Sequence, residues 1–419
     1  MAALCDIIRK GVYNMQIEKI TLPNGVRILY EKLPYVRSAT MGIWFGCGSR
    51  YENSRISGIS HFIEHMMFKG TKNHTAAELA ERMDELGGGF NAFTTKECTS
   101  YYFRSLDTNM LESAKLLCEM VFDSTFDERE LELERGVIFE EIDMYEDTPD
   151  ELCSERLTAG IFKGSPLGMP ILGKKSTLEK MNGDTLREYM STHYTAANTV
   201  VGISGNFSDD VIEYLKERLS QMPVSKVIKP KKAEYHQTSM TKKKRIEQNH
   251  ICIGFPGYSF NNSDRYAVQL FNSILGGGMS SRLFRTIREE NGLCYSIYTY
   301  TASHADAGMC GIYTALNPQS QEKALQLTKD VLTKVLEEGV TEKELSRAKE
   351  QCRSSILMGL ESTVTRMNHM ARSELLIGEI TEPDTVIERY DAVDRETLQN
   401  IAKKYYDLDK MSISIVGNV

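Results

Sequence analysis

The spacing of apolar and polar positions changes period several times along the chain, and each change predicts an element. In IEKITLPNGVRILYEK (residues 17–32) apolar and polar residues alternate on either side of Asn24-Gly25. This predicts two strands joined by a tight hairpin whose two central residues take positive φ. SATMGIWFGCG predicts a third strand. From Ile59 the period becomes helical: Ile59, Phe62, Ile63, Met66 and Met67 recur at intervals of three and four and stop before Gly70. Thr75 and Glu78 have the spacing of a capping box for the next helix, and Gly87 is its natural stop. FNAFTTKECTSYYFRSL, aromatic and threonine-rich without Pro or Gly, reads as strand, and LERGVIFEEIDMYED reads as helix.

A longer period overlies these. TLREYMSTHYTAANTVVGISGN (from Thr185) and TLQNIAKKYYDLDKMSISIVGN (from Thr397) superpose without a gap, so Thr, Leu, Tyr, Ile, Gly and Asn coincide at a constant offset of 212. Each is a helix, a short loop and a strand ending in Gly-Asn. The repeat predicts an α+β fold of two tandem homologous domains, each a mostly antiparallel sheet packed with helices. The boundaries expected are 15–221 and 248–419. Between them, the lysine-rich residues 222–247, with Pro223 and Pro230 and no helical period, read as a surface linker.

Composition narrows the class. With 419 residues, 41% of them hydrophobic, the chain can build two cores without disulfides. Nine scattered cysteines without a C-x-x-C pair fit core thiols in a reducing compartment. A net charge of −8 argues against general nucleic-acid binding, which needs a basic surface. No run of about 18 apolar residues suggests membrane insertion. The opening MAALCDIIRKGVYNMQ, cut by Asp6, Arg9 and Lys10, has no signal-peptide core; it reads as a short presequence or a start-site extension before Met15. The expected location is cytoplasmic, with the mitochondrial matrix as the alternative.

The chemistry concentrates in ISHFIEHMMFKG. On a helix His61 and His65 stand one above the other, so both imidazoles can reach one ion. A tetrahedral catalytic zinc takes three protein ligands and leaves one position for water, so a third donor is required. In the later helix Glu134 and Glu141 are two turns apart on one face, with Ile138 between them, while Glu132 and Glu140 point elsewhere. The geometry predicts His61, His65 and Glu141 as metal ligands and leaves Glu64 to activate a zinc-bound water. Glu134 would fix a ligand or the water network. At the repeat offset, positions 273 and 277 are Ser and Gly, so the second half has no equivalent trio.

H-x-x-E-H with a glutamate 76 residues after His65 resembles the inverzincins of the pitrilysin, insulin-degrading enzyme and mitochondrial processing peptidase family, in its short bacterial form. LPNGVRI, HFIEHMMFKGT, FNAFTTKECTSYY, GNFS and LGGGMSSRLFRTIREENGLCYS carry the resemblance over nearly the whole chain from Met15. It implies a processing-peptidase-like metallohydrolase fold with one Zn²⁺ per chain on His61, His65 and Glu141. Glu64 would be the general base and Glu134 the additional glutamate. Asn91, Ala92 and Phe93 match the segment on which relatives lay out a peptide as an added strand; an ordinary half-buried strand is the alternative. Arg288 and Tyr295 match the pair that holds a substrate carbonyl and donates to the developing oxyanion. Glu151 and Glu155 match acids that hold an arginine near the cleaved bond, or are solvated helix charges.

The expected activity is zinc-dependent endopeptidase cleavage of unfolded peptides or leader segments. The alternative is a noncatalytic partner subunit, which in such families typically loses the metal residues this chain keeps. The expected partners are peptide substrates and a second copy of the chain in a homodimer, a heterodimer being the alternative.

Overall fold

The computed structural model describes residues 15–419; the expectation for the segment before Met15 lies outside the described residues. Among the described residues eleven strands form two sheets: β1 (Glu18–Thr21), β2 (Arg27–Lys32), β3 (Ser38–Phe45), β4 (Gly89–Thr94), β5 (Thr99–Leu106), β6 (Thr199–Gly205), β7 (Ser239–Lys243), β8 (Asn249–Pro256), β9 (Cys294–Ser303), β10 (Gly308–Leu316) and β11 (Ser412–Gly417). The helices that concern the site or the repeat are α1 (Ile59–Met66), α2 (Ala76–Glu85), α3 (Glu128–Asp147), α4 (Pro149–Ile161), α5 (Gly183–His193), α6 (Arg265–Gly276), α7 (Thr363–Leu376) and α8 (Arg395–Tyr405).

The first sheet has the order β1-β2-β6-β3-β5-β4 and the second β7-β11-β8-β10-β9. In each, one parallel pair, β2 with β6 and β7 with β11, joins otherwise antiparallel neighbours. The α+β fold with two mostly antiparallel sheets is therefore borne out. The repeat extends to single hydrogen bonds. Asn182 caps α5 by accepting from the Thr185 N–H at 2.9 Å, and Asp394 caps α8 by accepting from the Thr397 N–H at 2.8 Å, one offset of 212 apart. Each helix leads through a short 3₁₀ turn into a strand, β6 or β11, that lies between a parallel and an antiparallel neighbour.

The compact units are not the two expected stretches of chain. The first comprises residues 15–142, 169–231 and 357–383, and the second 143–168, 232–356 and 384–419. Each sheet is thus covered on one face by a helix from the other half of the sequence. In the first unit Met367, Met370 and Ala371 of α7 pack with Leu29, Trp44 and Val200. Gly42 and Gly202 permit this: a Cβ on Gly42 would sit 2.9 Å from the Met367 sulfur. In the second unit Cys153, Leu157 and Ile161 of α4 pack with Cys252, Met309 and Val416. The residues expected as linker include β7, a strand in register with β11. Its lysines belong to a sheet edge, where charge discourages further pairing.

Two local expectations are also corrected. The β1–β2 connection is a five-residue loop, Leu22 to Val26, in which Gly25 alone has positive φ (99°), so Asn24 does not take part in a two-residue primed turn. FNAFTTKECTSYYFRSL is a hairpin of β4 and β5 rather than one strand. Thr95 makes the turn without Gly or Pro: its N–H donates to Cys98 O at 2.8 Å and its hydroxyl accepts from the Cys98 N–H at 3.0 Å. The eight cysteines among the described residues are free thiols, six of them buried.

A buried ion pair ties α7 to its sheet. Arg366 donates to Glu31 at 2.6 Å, and the other Glu31 oxygen accepts from Ser204 at 3.2 Å. Removing one partner strands the other charge in the core. Arg366→Ala is therefore expected to lower the unfolding free energy by about 3–5 kcal/mol in denaturant titration, whereas a similar change at Arg82, which forms a largely solvated i,i+3 pair with Glu85, should move it little.

Candidate metal centre

Helix α1 is short, and its apolar face decides its orientation. Ile59, Phe62, Ile63 and Met66 are fully buried and share a core with Ile43, Phe45, Tyr101 and Phe103 of the sheet. Burying each such side chain stabilises by about 1.5–3 kcal/mol, which fixes the rotation of the helix and so the direction of His61, Glu64 and His65. Ile138 of α3 is buried in the same core, which brings Glu134 and Glu141, four residues before it and three after, to one face toward α1.

The three expected ligands meet. His61 Nε2 lies 3.2 Å from His65 Nε2, and Glu141 Oε2 lies 3.6 Å from each. A tetrahedral ion with bonds of about 2.0–2.2 Å places neighbouring donors roughly 3.3–3.6 Å apart, so this triangle fits one zinc-sized cation. Two nitrogens and a carboxylate oxygen are also the donor set such an ion takes. Among the described residues no other trio of His, Cys, Asp or Glu converges in this way.

The surroundings set protonation. His65 Nδ1 donates to Glu134 Oε1 at 2.8 Å, which leaves the lone pair on Nε2 facing the triangle; the other Glu134 oxygen accepts from Lys69 at 2.6 Å. Burial of Glu134 raises its pKa, but the hydrogen bonds from His65 and Lys69 outweigh burial and hold it ionised below the usual range. Burial, then His65, pushes the His61 imidazole down to about 3, so it is neutral and able to donate its lone pair at any physiological pH. Burial raises the Glu64 carboxyl above its ordinary value against the opposing pull of Thr94 and His65, a direction that suits a proton acceptor working near neutrality.

The depressed His61 has a consequence for stability. Between its unfolded value near 6.5 and its folded value of about 3, the unfolded chain binds a proton that the folded chain does not. The metal-free protein should hold its full His61 contribution above pH 6.5 and lose it progressively as pH falls. Thermal melts of chelator-treated protein from pH 7 to 4 are expected to slope more steeply for the natural chain than for His61→Gln.

The chain resembles known proteins over most of its length. The model of "Insulinase (Peptidase family M16)" matches residues 27–175, and that of "Peptidase M16 inactive domain" matches residues 180–352. A Bacillus subtilis (strain 168) protein named uncharacterized zinc protease YmxG is 41% identical over 394 residues, covering 94% of this chain and 96% of its own. The chain is a member of peptidase family M16. The family resemblance read from its motifs is borne out. Another M16 relative, the uncharacterized zinc protease SCO5738 of Streptomyces coelicolor, is 35% identical and covers 96% of this chain and 89% of its own. The crystal structure of a protease from Helicobacter pylori shares the fold at a TM-score of 0.90 and 21% identity, over 96% of this chain and 99% of that one. The M16 inactive-domain match agrees with the end of α6, where Ser273, Gly276 and the capping Gly277 stand one repeat from His61, Glu64 and His65.

The remaining expected residues of this M16 chain divide by unit. Asn91, Ala92 and Phe93 lie on β4, an edge strand paired only with β5, so one side of its backbone is unpaired within the sheet. Phe93 packs edge-on against Trp44 at 5.2 Å. Arg288 and Tyr295 belong to the second unit. Arg288 follows α6 in a π-helical segment, Phe284–Glu290, its guanidinium 4.6 Å from the Phe284 ring centre and 5.0 Å from that of Tyr295. Tyr295 is 80% exposed. Glu151 and Glu155 lie on α4, also in the second unit. Lys69 and Thr94 escaped the sequence reading. Lys69 follows His65 by four residues, a spacing that could have flagged it; nothing local marks Thr94, which meets Glu64 only through the fold.

Proposed function

We propose that this chain is a zinc-dependent endopeptidase that hydrolyses unfolded peptides or leader segments. The observation that carries the reading is the triangle of His61, His65 and Glu141 with a half-buried glutamate, Glu64, on the same helix as the two histidines. The zinc protease names of close relatives support it. One zinc ion per chain, held by these three residues, would supply the Lewis acidity that makes water nucleophilic near neutral pH and polarises the scissile carbonyl.

The chain's own residues do the rest. Glu64 accepts a proton from the attacking water as its oxygen bonds to the carbonyl carbon, then passes that proton to the amide nitrogen as the C–N bond breaks. Glu134 keeps His65 in the tautomer that faces the ion, with Lys69 balancing its charge. The open edge of β4 at Asn91, Ala92 and Phe93 takes an extended peptide by main-chain hydrogen bonds, which accept many sequences but require an unfolded strand. Arg288 holds a substrate carbonyl, Tyr295 donates to the developing oxyanion, and Glu151 and Glu155 attract a basic side chain near the cleaved bond. The acting species is a homodimer; full activity at monomeric mass in solution would refute that part.

The test is cleavage of a quenched peptide library by the purified chain, read by mass spectrometry with and without chelator. Chelator-sensitive cleavage that zinc restores is expected. Intact peptides in the presence of zinc would overturn the proposal in favour of a noncatalytic subunit.

A further inference from the structure

Helix α1 begins under a constraint. Its N-cap position is Gly58, at φ 96°. A side chain there is excluded, because a Cβ would lie 2.7 Å from the Leu172 carbonyl oxygen and 2.9 Å from the Gly173 Cα. The Ser, Thr, Asp or Asn that usually caps a helix start therefore cannot be placed. The N–H groups of the first turn are buried and still need acceptors, since an unpaired donor there gives up its hydrogen bond to water for nothing.

Glu52 supplies them from outside the helix. One carboxylate oxygen accepts from the Gly58 N–H at 2.7 Å and the other from the Ser60 N–H at 2.9 Å. The group is 3% exposed, and its burial raises its pKa to about 7 against the pull of these same hydrogen bonds. Ser60 is held a second time, its hydroxyl 3.0 Å from that of buried Tyr189. The next residue is His61. The helix has eight residues and carries two ligands and the proposed base, so fraying of its first turn displaces His61 directly.

We propose that Glu52 is a positioning residue of the metal centre, acting through the first turn of α1 to hold His61 at the distance the ion requires. This rests on the assignment of the trio as metal ligands, but not on peptidase activity. The test is metal affinity of the full chain, measured by competition with a chromophoric chelator in zinc, with the visible spectrum of the cobalt-substituted protein as a second readout. Glu52→Ala is expected to weaken zinc about 10- to 100-fold, the scale seen for groups that orient ligands, and to alter the cobalt bands. At saturating zinc its kcat should fall with KM unchanged.

Thr75→Ala is the control, since Thr75 caps α2 through a full capping box away from the ligands. It should lower the denaturant midpoint of unfolding, as loss of a helix cap does, and leave zinc affinity untouched. Unchanged zinc affinity in folded Glu52→Ala, or an equal loss in Thr75→Ala, would overturn the proposal. If Glu52→Ala does not fold, Glu52→Gln decides: it keeps the volume but offers one acceptor oxygen, and a drop of at least about threefold supports positioning whereas none refutes it. Weakened zinc binding in Glu52→Ala beside a natural chain that cuts no peptide would refute the peptidase reading and leave this one standing.

Discussion

Glu64→Gln is expected to keep its zinc and lose about two to four orders of magnitude in peptide cleavage, the usual contribution of a positioned general base. Glutamine has nearly the same shape, so the buried cluster around α1 need not repack. The amide cannot accept the proton that must leave the water. Because Glu64 is not a member of the triangle, the ion should remain. The comparison needs kcat at saturating zinc, with metal content measured on the same samples. A Glu64→Gln chain that cleaves within threefold of the natural one would remove Glu64 from the chemistry. One that is inactive but empty of metal would leave its role as base unsupported.

The opposite signature is expected for the ligands. His61→Ala, His65→Ala and Glu141→Ala should each lose the metal, and with it both cleavage and the stabilisation the ion confers on the folded chain. Binding at an ion concentration 1,000 times Kd contributes about 4.1 kcal/mol, so added zinc should raise the melting temperature of the natural chain and not of these variants. Glu134→Gln belongs between the two classes. It still accepts from His65 but no longer carries the charge that Lys69 offsets, and a loss of about 10- to 100-fold in affinity or rate is expected. Zinc titrations followed by thermal melts separate the three behaviours.

The convergence of His61, His65 and Glu141 was legible in the sequence because helical geometry does most of the work. His61 and His65 are one turn apart, and Glu134 and Glu141 two turns apart with an apolar residue between, so each pair faces one way before any tertiary contact is known. What was not legible depends on contacts distant in sequence. Glu52 follows a short 3₁₀ turn in extended backbone and Thr94 ends a strand, neither with a periodic mark, and only folding brings them to α1. The exchange of α4 and α7 between units escaped for a similar reason: a helix that packs on a sheet looks alike whichever sheet it meets. The β4–β5 hairpin was hidden because a threonine makes its turn, without the Gly or Pro that usually marks one. The β7 lysines read as linker because an edge strand can be as polar as a loop.

The most direct measurement is the zinc content of the purified chain by elemental analysis, with His65→Ala prepared alongside. One zinc per chain in the natural protein and none in the variant is the predicted result. A natural chain without zinc when zinc is supplied, or a His65→Ala chain that keeps a full equivalent, would contradict the account.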